Sequence, residues 1–221
     1  SIAVFAAAEA SRGGRRLMWL ALLAGLGLAH HRTSPFFTAP LVMAAVVEER
    51  PGWKALGKAA VYGLAPLLFY LYLPIRAAAR PAVLWSDVSQ ARYFVPYLLG
   101  RSYQKYAFSR PFLEMIESAK TILADASSEL TLGGLALALI GLASLLRRRR
   151  TLGLALITAT GLLTVWNLGY GVPDWQTFFV PATLAAGLWA GLGLDALSQA
   201  LPSAVGRRRV WASIAITIGV L

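Results

Sequence analysis

The sequence predicts an all-α fold: a polytopic transmembrane helical bundle with amphipathic interfacial helices in one long exoplasmic loop. Three observations predict it. Hydrophobic residues make up 57% of the 221 and charged residues only 14%, against ~25% charged in soluble domains, and the mean hydropathy is +0.61. Runs free of Asp, Glu, Lys and Arg recur along the chain, several of them near the ~20 residues that a membrane crossing needs. The basic residues cluster in short loops that alternation places on one side, as the positive-inside rule requires. The same figures exclude a disordered chain, a coiled coil, collagen and a secreted disulfide scaffold. The chain has no cysteine, which excludes disulfides, thiolate metal sites and cysteine nucleophiles.

One transmembrane domain is expected over 1–221, with spans at about 17–29, 35–47, 59–75, 130–146, 151–168 and 175–196 and partial spans at 1–10 and 210–221. The first two complete runs are short and are separated only by His30-His31-Arg32-Thr33-Ser34. They read either as tilted spans or as a re-entrant hairpin. With the arginine run at 147–150 placed in the cytoplasm, Arg12, Arg15 and Arg16 fall on that same side. So do Arg50, Lys54 and Lys58, and then Arg207, Arg208 and Arg209. Arg32 and the 76–129 loop fall opposite. The net charge of +11 is therefore topological, and no nucleic-acid partner is implied. Trp19, Trp53, Trp166, Trp175 and Trp211 lie near span ends, where indole rings favour the headgroup zone. The chain begins and stops inside apolar runs and reads as an internal piece of a longer polytopic protein.

No span carries a charge in its middle, where ion and proton carriers place one. Polar groups gather instead in three segments opposite the basic loops: the 30–34 turn, the 76–129 loop and the 167–176 turn. In the loop, Asp87-Val88-Ser89-Gln90 has the spacing of a capping box, followed by apolar Tyr93, Phe94, Tyr97 and Leu98. After Pro111, residues Phe112, Met115, Ile116, Ala119, Ile122 and Leu123 repeat at helical spacing, with Glu114, Glu117, Ser118 and Lys120 off that stripe. Two helices lying along the membrane surface are expected. Between them, Gly100-Arg101-Ser102-Tyr103-Gln104-Lys105-Tyr106 interleaves cations with aromatics. Such a stretch suits an anionic or sugar-bearing ligand at the bilayer surface, or plain headgroup contact.

Several blocks in order carry a resemblance. They are Gly25-Leu26-Gly27-Leu28-Ala29-His30-His31-Arg32-Thr33, Tyr70-Leu71-Tyr72-Leu73-Pro74-Ile75-Arg76, Trp85-Ser86-Asp87, Gly100-Arg101-Ser102-Tyr103, and Tyr170-Gly171-Val172-Pro173-Asp174 running into Phe178-Phe179-Val180-Pro181. Together they resemble a bacterial polytopic membrane family related to protein O-mannosyltransferases, within the GT-C glycosyltransferase superfamily, over roughly 17–195. The chain departs from that pattern at His30, where the family carries Asn, and at Ser86, where it carries Gly. The resemblance implies a GT-C-like bundle in the cell membrane with its active face exoplasmic or periplasmic. It implies transfer of a sugar such as mannose from a polyprenyl-phosphate donor to a hydroxyl of an exported protein or glycan. It also implies an acidic general base in a first exoplasmic loop, expected upstream of Ser1, so no catalytic residue is named within the chain.

The chemistry needs donors for the departing lipid phosphate, whose charge grows in the transition state. Arg76, directly after a span, could clamp phosphate bidentately or snorkel to the interface. Arg101 is a second phosphate candidate, with Tyr103 as donor or stacking ring. His31 could donate to phosphate or move a proton, or satisfy backbone at its turn. Trp85 and Asp87, and separately Asp174, read as helix caps or as groups that orient the acceptor; for Asp174 a divalent metal is a further partner. The residues indicate no metal site: adjacent His30 and His31 have no partner at chelating spacing. The competing functions are a transporter or flippase component for lipid-linked sugars and a non-catalytic membrane scaffold.

Overall fold

The computed structural model describes residues 15–84 and 86–200. Among them every regular element is a helix. Four helical stretches are long and apolar enough to cross a membrane: Trp53–Ala78, Phe112–Arg148, Arg150–Gly169 and Trp175–Ala200. The protein is an all-α, polytopic membrane bundle. The partial spans at 1–10 and 210–221, together with Arg12, Trp85, the 207–209 arginines and Trp211, lie outside the described residues.

Helices α1 (Arg15–His30) and α2 (Ser34–Glu49) form a hairpin across the turn at 31–33. Pro35 sits in the first turn of α2, where its missing N–H would have no helical partner anyway. Arg50 ends α2 in the left-handed region at φ 44°, its N–H returning to the Val46 carbonyl, and Pro51 follows where the helix cannot continue. Helix α3 (Trp53–Leu64) tightens into a 3-10 stretch (Ala65–Leu71) and resumes as α4 (Tyr72–Ala78). Pro66 and Pro74 each remove a backbone donor from this rod. The long loop holds α5 (Ala91–Leu98) and the single turn α6 (Arg101–Gln104). Then come α7 (Phe112–Arg148), α8 (Arg150–Gly169), a 3-10 turn (Trp175–Phe179) and α9 (Val180–Ala200).

The second expected surface helix and the 130–146 span follow one another without a loop as the two parts of α7, divided by a kink at Thr131. Thr131 lies at φ 59°, ψ 165°, a conformation that disfavours a β-branched residue. Its Oγ1 accepts the Gly134 N–H at 3.3 Å. That is the N-cap arrangement, so the spanning part of α7 starts with its own cap where the amphipathic part ends. The first expected surface helix covers its whole apolar stripe, Tyr93, Phe94, Tyr97 and Leu98. It begins at Ala91 with Gln90 at the cap position and no side-chain cap bond. Asp87 accepts instead from the Ser89 N–H at 3.1 Å and the Ser89 hydroxyl at 2.6 Å. A carboxylate so engaged two residues on closes an Asx turn, and the capping-box reading of Asp87 is corrected accordingly.

The helices pack in two sets. Leu17, Leu20, Ala21, Ala45 and Ala59 join α1, α2 and α3. In α1 and α3, a Cβ on Gly25 would overlap the Gly63 carbonyl, and the Tyr70 hydroxyl donates to the Leu28 carbonyl at 2.9 Å. These contacts advance together along the two rods, which therefore run parallel. In the second set, a Cβ on Gly141 of α7 would overlap the Trp189 carbonyl of α9, and one on Gly193 would overlap the Leu137 carbonyl. Small residues allow such close approach where the surrounding lipid is as apolar as the side chains. Leu41 and Ala44 of α2 pack with Leu145 of α7 and Leu152, Ala155 and Leu156 of α8, linking the sets. Helix α8 is the hub: 44% of its apolar stretch is buried, against 11–17% in the other three.

Charges close one end of the bundle. Arg16, nearly buried, pairs with Glu48 at 2.5 Å, and Arg149 approaches the same carboxylate oxygen at 3.8 Å. Arg148 reaches Asp195 at 3.8 Å and donates to Gln199 at 2.7 Å. The basic ends of α1, α7 and α8 therefore lie together with the ends of α2 and α9 that carry Glu48, Asp195 and Gln199.

Two substitutions test this packing in thermal unfolding of the purified protein. Gly141→Val should destabilise by about 1–3 kcal/mol through overpacking, whereas Gly161→Ala, which meets nothing within 4 Å, should be neutral or stabilising. Glu48→Gln removes the nearer carboxylate from Arg16, which keeps Glu49 at 3.9 Å, and should cost about 1 kcal/mol, well below the loss of a fully buried pair.

Candidate functional site

The three polar segments singled out in the sequence meet at the end opposite the basic cluster. Arg32, in the α1–α2 turn, donates to the Tyr97 and Leu98 carbonyls at the end of α5. Its guanidinium lies 5.5 Å from the Tyr97 ring centre. Cations suit helix C-termini, where carbonyls lack helical partners. Gly100 follows at φ 66°, and the Arg32 side chain lies against it so closely that a Cβ would meet the guanidinium at 3.2–3.3 Å. The loop therefore turns at Gly100 for two reasons, backbone conformation and space.

The other end of the loop docks on the 167–176 turn. The Gly171 N–H donates to the Tyr106 carbonyl at 2.9 Å. A Cβ on Gly169 would enter the Phe108 ring, and one on Gly171 would overlap the Ser109 hydroxyl. Arg110 then donates to Ser118 at 2.7 Å and to the Val172 carbonyl at 3.2 Å, and lies 4.4 Å from the Trp175 ring centre. Burial pulls the Arg110 pKa below its ordinary value, and Glu114 opposes that shift.

Between these dockings lies an aromatic cluster. Trp166 contacts Phe36, Phe108 and Tyr170 at ring separations of 5.0, 5.6 and 5.6 Å. Tyr170 meets Phe178 edge-on at 5.7 Å and Tyr106 at 6.5 Å. Beneath them Asn167 is fully buried and donates to the Phe178 carbonyl at 3.0 Å. Trp166 is thus packed into the site and Trp175 sits on Arg110, while Trp19 and Trp53 are exposed as membrane-belt residues should be.

His31 stands at the edge of this cluster, 5.4 Å from the Phe178 ring. Its Nδ1 accepts the Thr33 N–H at 3.3 Å and is 2.8 Å from the Thr33 hydroxyl. With Nδ1 turned toward the Thr33 amide and hydroxyl, Nε2 is the ring nitrogen left to face other partners. Loss of hydration lowers the His31 pKa, and the neighbouring charges of His30 and Arg32 lower it further. Tyr103 is exposed and acts electrostatically on Tyr170, whose pKa burial raises first and Tyr103 and Asp174 raise next. Asp174 occupies the cap position of the 3-10 turn through its backbone, its carbonyl accepting from the Thr177 N–H and hydroxyl, without a side-chain cap.

Tyr103 and Asp174 therefore lie near enough to act on Tyr170, and His31 reaches the same aromatic cluster through Phe178. Arg76, Arg101 and Asp87 lie exposed elsewhere on this end. The Asp87 pKa is lowered, chiefly by its bonds from Ser89. Trp85 lies outside the described residues. Among the described residues no three His, Asp or Glu side chains converge as metal ligands, so no step is assigned to a metal at Asp174. Sequence reasoning missed Arg32, Arg110, Asn167 and Phe178 as builders of the site. Arg32 carried a signal, being the lone cation of a short loop on its side; Asn167 opens the polar 167–176 turn and Phe178 stands in the block after it, which marked the segments without marking the two side chains.

A lowered His31 pKa means that folding favours its neutral form. That stability is fully present above the ordinary value of 6.5 and is lost as pH falls through the folded-state pKa. Acidification from pH 7 to 5 should therefore lower the thermal midpoint, and His31→Gln should remove that part of the pH dependence. Equal slopes in the two proteins would exclude His31 as the titrating group. Comparison of the chain with protein-family models, curated proteins and solved structures finds no match.

Proposed function

We propose that this chain is part of a membrane glycosyltransferase that moves a sugar from a polyprenyl-phosphate donor to a hydroxyl of an exported protein or glycan, at its polar, exoplasmic end. The observation that carries the reading is the convergence of three polar segments at one end of a bundle whose described spans hold no charge in their middle. A transporter of charged cargo would place polar groups at mid-depth, whereas chemistry on a lipid phosphate needs them at the surface.

The parts can be assigned roles. Arg101 and Arg76 offer guanidinium donors for the donor phosphate, where planar, bidentate contact is worth most. Neutral His31 offers its Nε2 proton to a phosphate oxygen without adding a positive charge. The Trp53–Ala78 rod exposes Leu64, Leu68, Phe69, Leu71, Tyr72 and Ile75 below Arg76. That apolar face would take the polyprenyl chain, leaving its phosphate level with the arginine. The general base is assigned to no residue of this chain, and no metal is required of the described ones.

The test is Arg76→Lys in the full-length protein reconstituted in liposomes with a polyprenyl-phosphate sugar, reading release of polyprenyl phosphate. Loss of one bidentate, charge-assisted contact should slow transfer roughly 10- to 100-fold. A wild-type rate in the variant would remove Arg76 from phosphate binding, and a wild-type protein that releases no polyprenyl phosphate would overturn the transferase reading.

A further inference from the structure

Outside the aromatic cluster, a groove of about 630 Å³ runs between the first turns of α7 and the 3-10 turn. Arg110, Glu114, Glu117, Ser118, Thr121 and Trp175 line it, with Leu113 and Ile116. Its charges are mixed. Arg110 spends one terminal nitrogen on Ser118 and the other on Val172, and each nitrogen carries a second N–H. Glu117 pairs with Lys120 at 2.7 Å and keeps further acceptor positions.

The chemistry selects a ligand class. An anion would face the two carboxylates of Glu114 and Glu117. A cation would face Arg110, which already covers the Trp175 ring, and Lys120. A hydroxyl donates and accepts at once, so a polyhydroxyl ligand can use guanidinium, carboxylate and the Thr121 hydroxyl together. Trp175, with Leu113 and Ile116, supplies apolar surface for the C–H groups of a sugar ring.

We propose that this groove binds a neutral saccharide, held against Trp175 with its hydroxyls between Arg110, Glu114, Glu117 and Thr121. Its use as the seat of an acceptor glycan rests on the transferase reading; binding itself does not. The buried Ser118 holds Arg110 in place by accepting its hydrogen bond, so the donor side of the groove is built before any ligand arrives.

Saturation-transfer NMR on the full chain in nanodiscs tests the proposal, using free mannotriose, maltotriose and chitotriose as probes and no lipid-linked donor. Alkyl glycoside detergents must be absent, because their headgroups would compete. At least one trisaccharide should show saturable transfer. Trp175→Ala should weaken it roughly tenfold, equivalent to about 1.4 kcal/mol. Glu117→Gln, at an exposed position, should leave the thermal midpoint unchanged and weaken binding roughly threefold or more. No transfer to any of the three sugars, binding unchanged in both variants, or displacement of the sugar by inorganic phosphate would each overturn the assignment. Because no donor is present, failure here leaves the transferase reading standing, and failure of sugar transfer leaves the groove standing.

Discussion

The packing of α2 against α8 is the contact on which the rest of the molecule hangs. It is the most extensive contact between the α1–α4 set and the α7–α9 set. In lipid it gains little from hiding apolar surface, since the solvent is equally apolar, and depends on close fit. Ala44 and Ala155 let the helices approach between Leu41, Leu152 and Leu156. The two ends of the contact are closed differently. At the basic end Glu48 lies between Arg16 and Arg149, so one carboxylate answers cations from both sets. At the polar end Phe36 of α2 lies on Trp166 of α8.

The site inherits its geometry from that contact. The long loop is fastened to the first set through Arg32 and to the second through Gly171 and Arg110. Each fastening ends on backbone carbonyls or beside a glycine, so each holds the path of the chain more than the identity of neighbouring side chains. A shift of α2 along α8 would move Arg32 relative to Gly171 and strain the loop between them. His31 and Phe178, one from each set, would separate as well.

Much of this was legible before any coordinates. Apolar runs located the spans because a bilayer demands continuous apolar length, and alternation of basic loops ordered their ends. The gathering of polar segments on one side followed from the same rule, and their actual convergence is its three-dimensional form. What stayed hidden depended on local backbone conformation or on partners distant in sequence. Asp87 had the spacing of a cap, yet its nearest donors were the N–H and hydroxyl of Ser89, and a local turn won. Thr131 looked like one more span residue, and only its backbone conformation shows that a helix ends and another starts there. Trp166 had the position of a belt residue, but Phe36, from another span, covers it. Arg76 and Arg101 stand exposed, as cations of the long loop are expected to.

The α1–α2 hairpin has a consequence for the membrane itself. Each helix has 16 residues, a rise of about 24 Å, whereas a hydrocarbon core is ~30 Å thick. With the Arg16–Glu48 pair set at a headgroup boundary, as its charges favour, the whole deficit would fall at the turn that carries His31. Lipids beside the hairpin answer such hydrophobic mismatch by thinning, at a cost of fractions of a kcal/mol per Å. The leaflet on that side would then dip toward the hairpin, so the shape of the bilayer itself would bring its headgroups to the level of the turn.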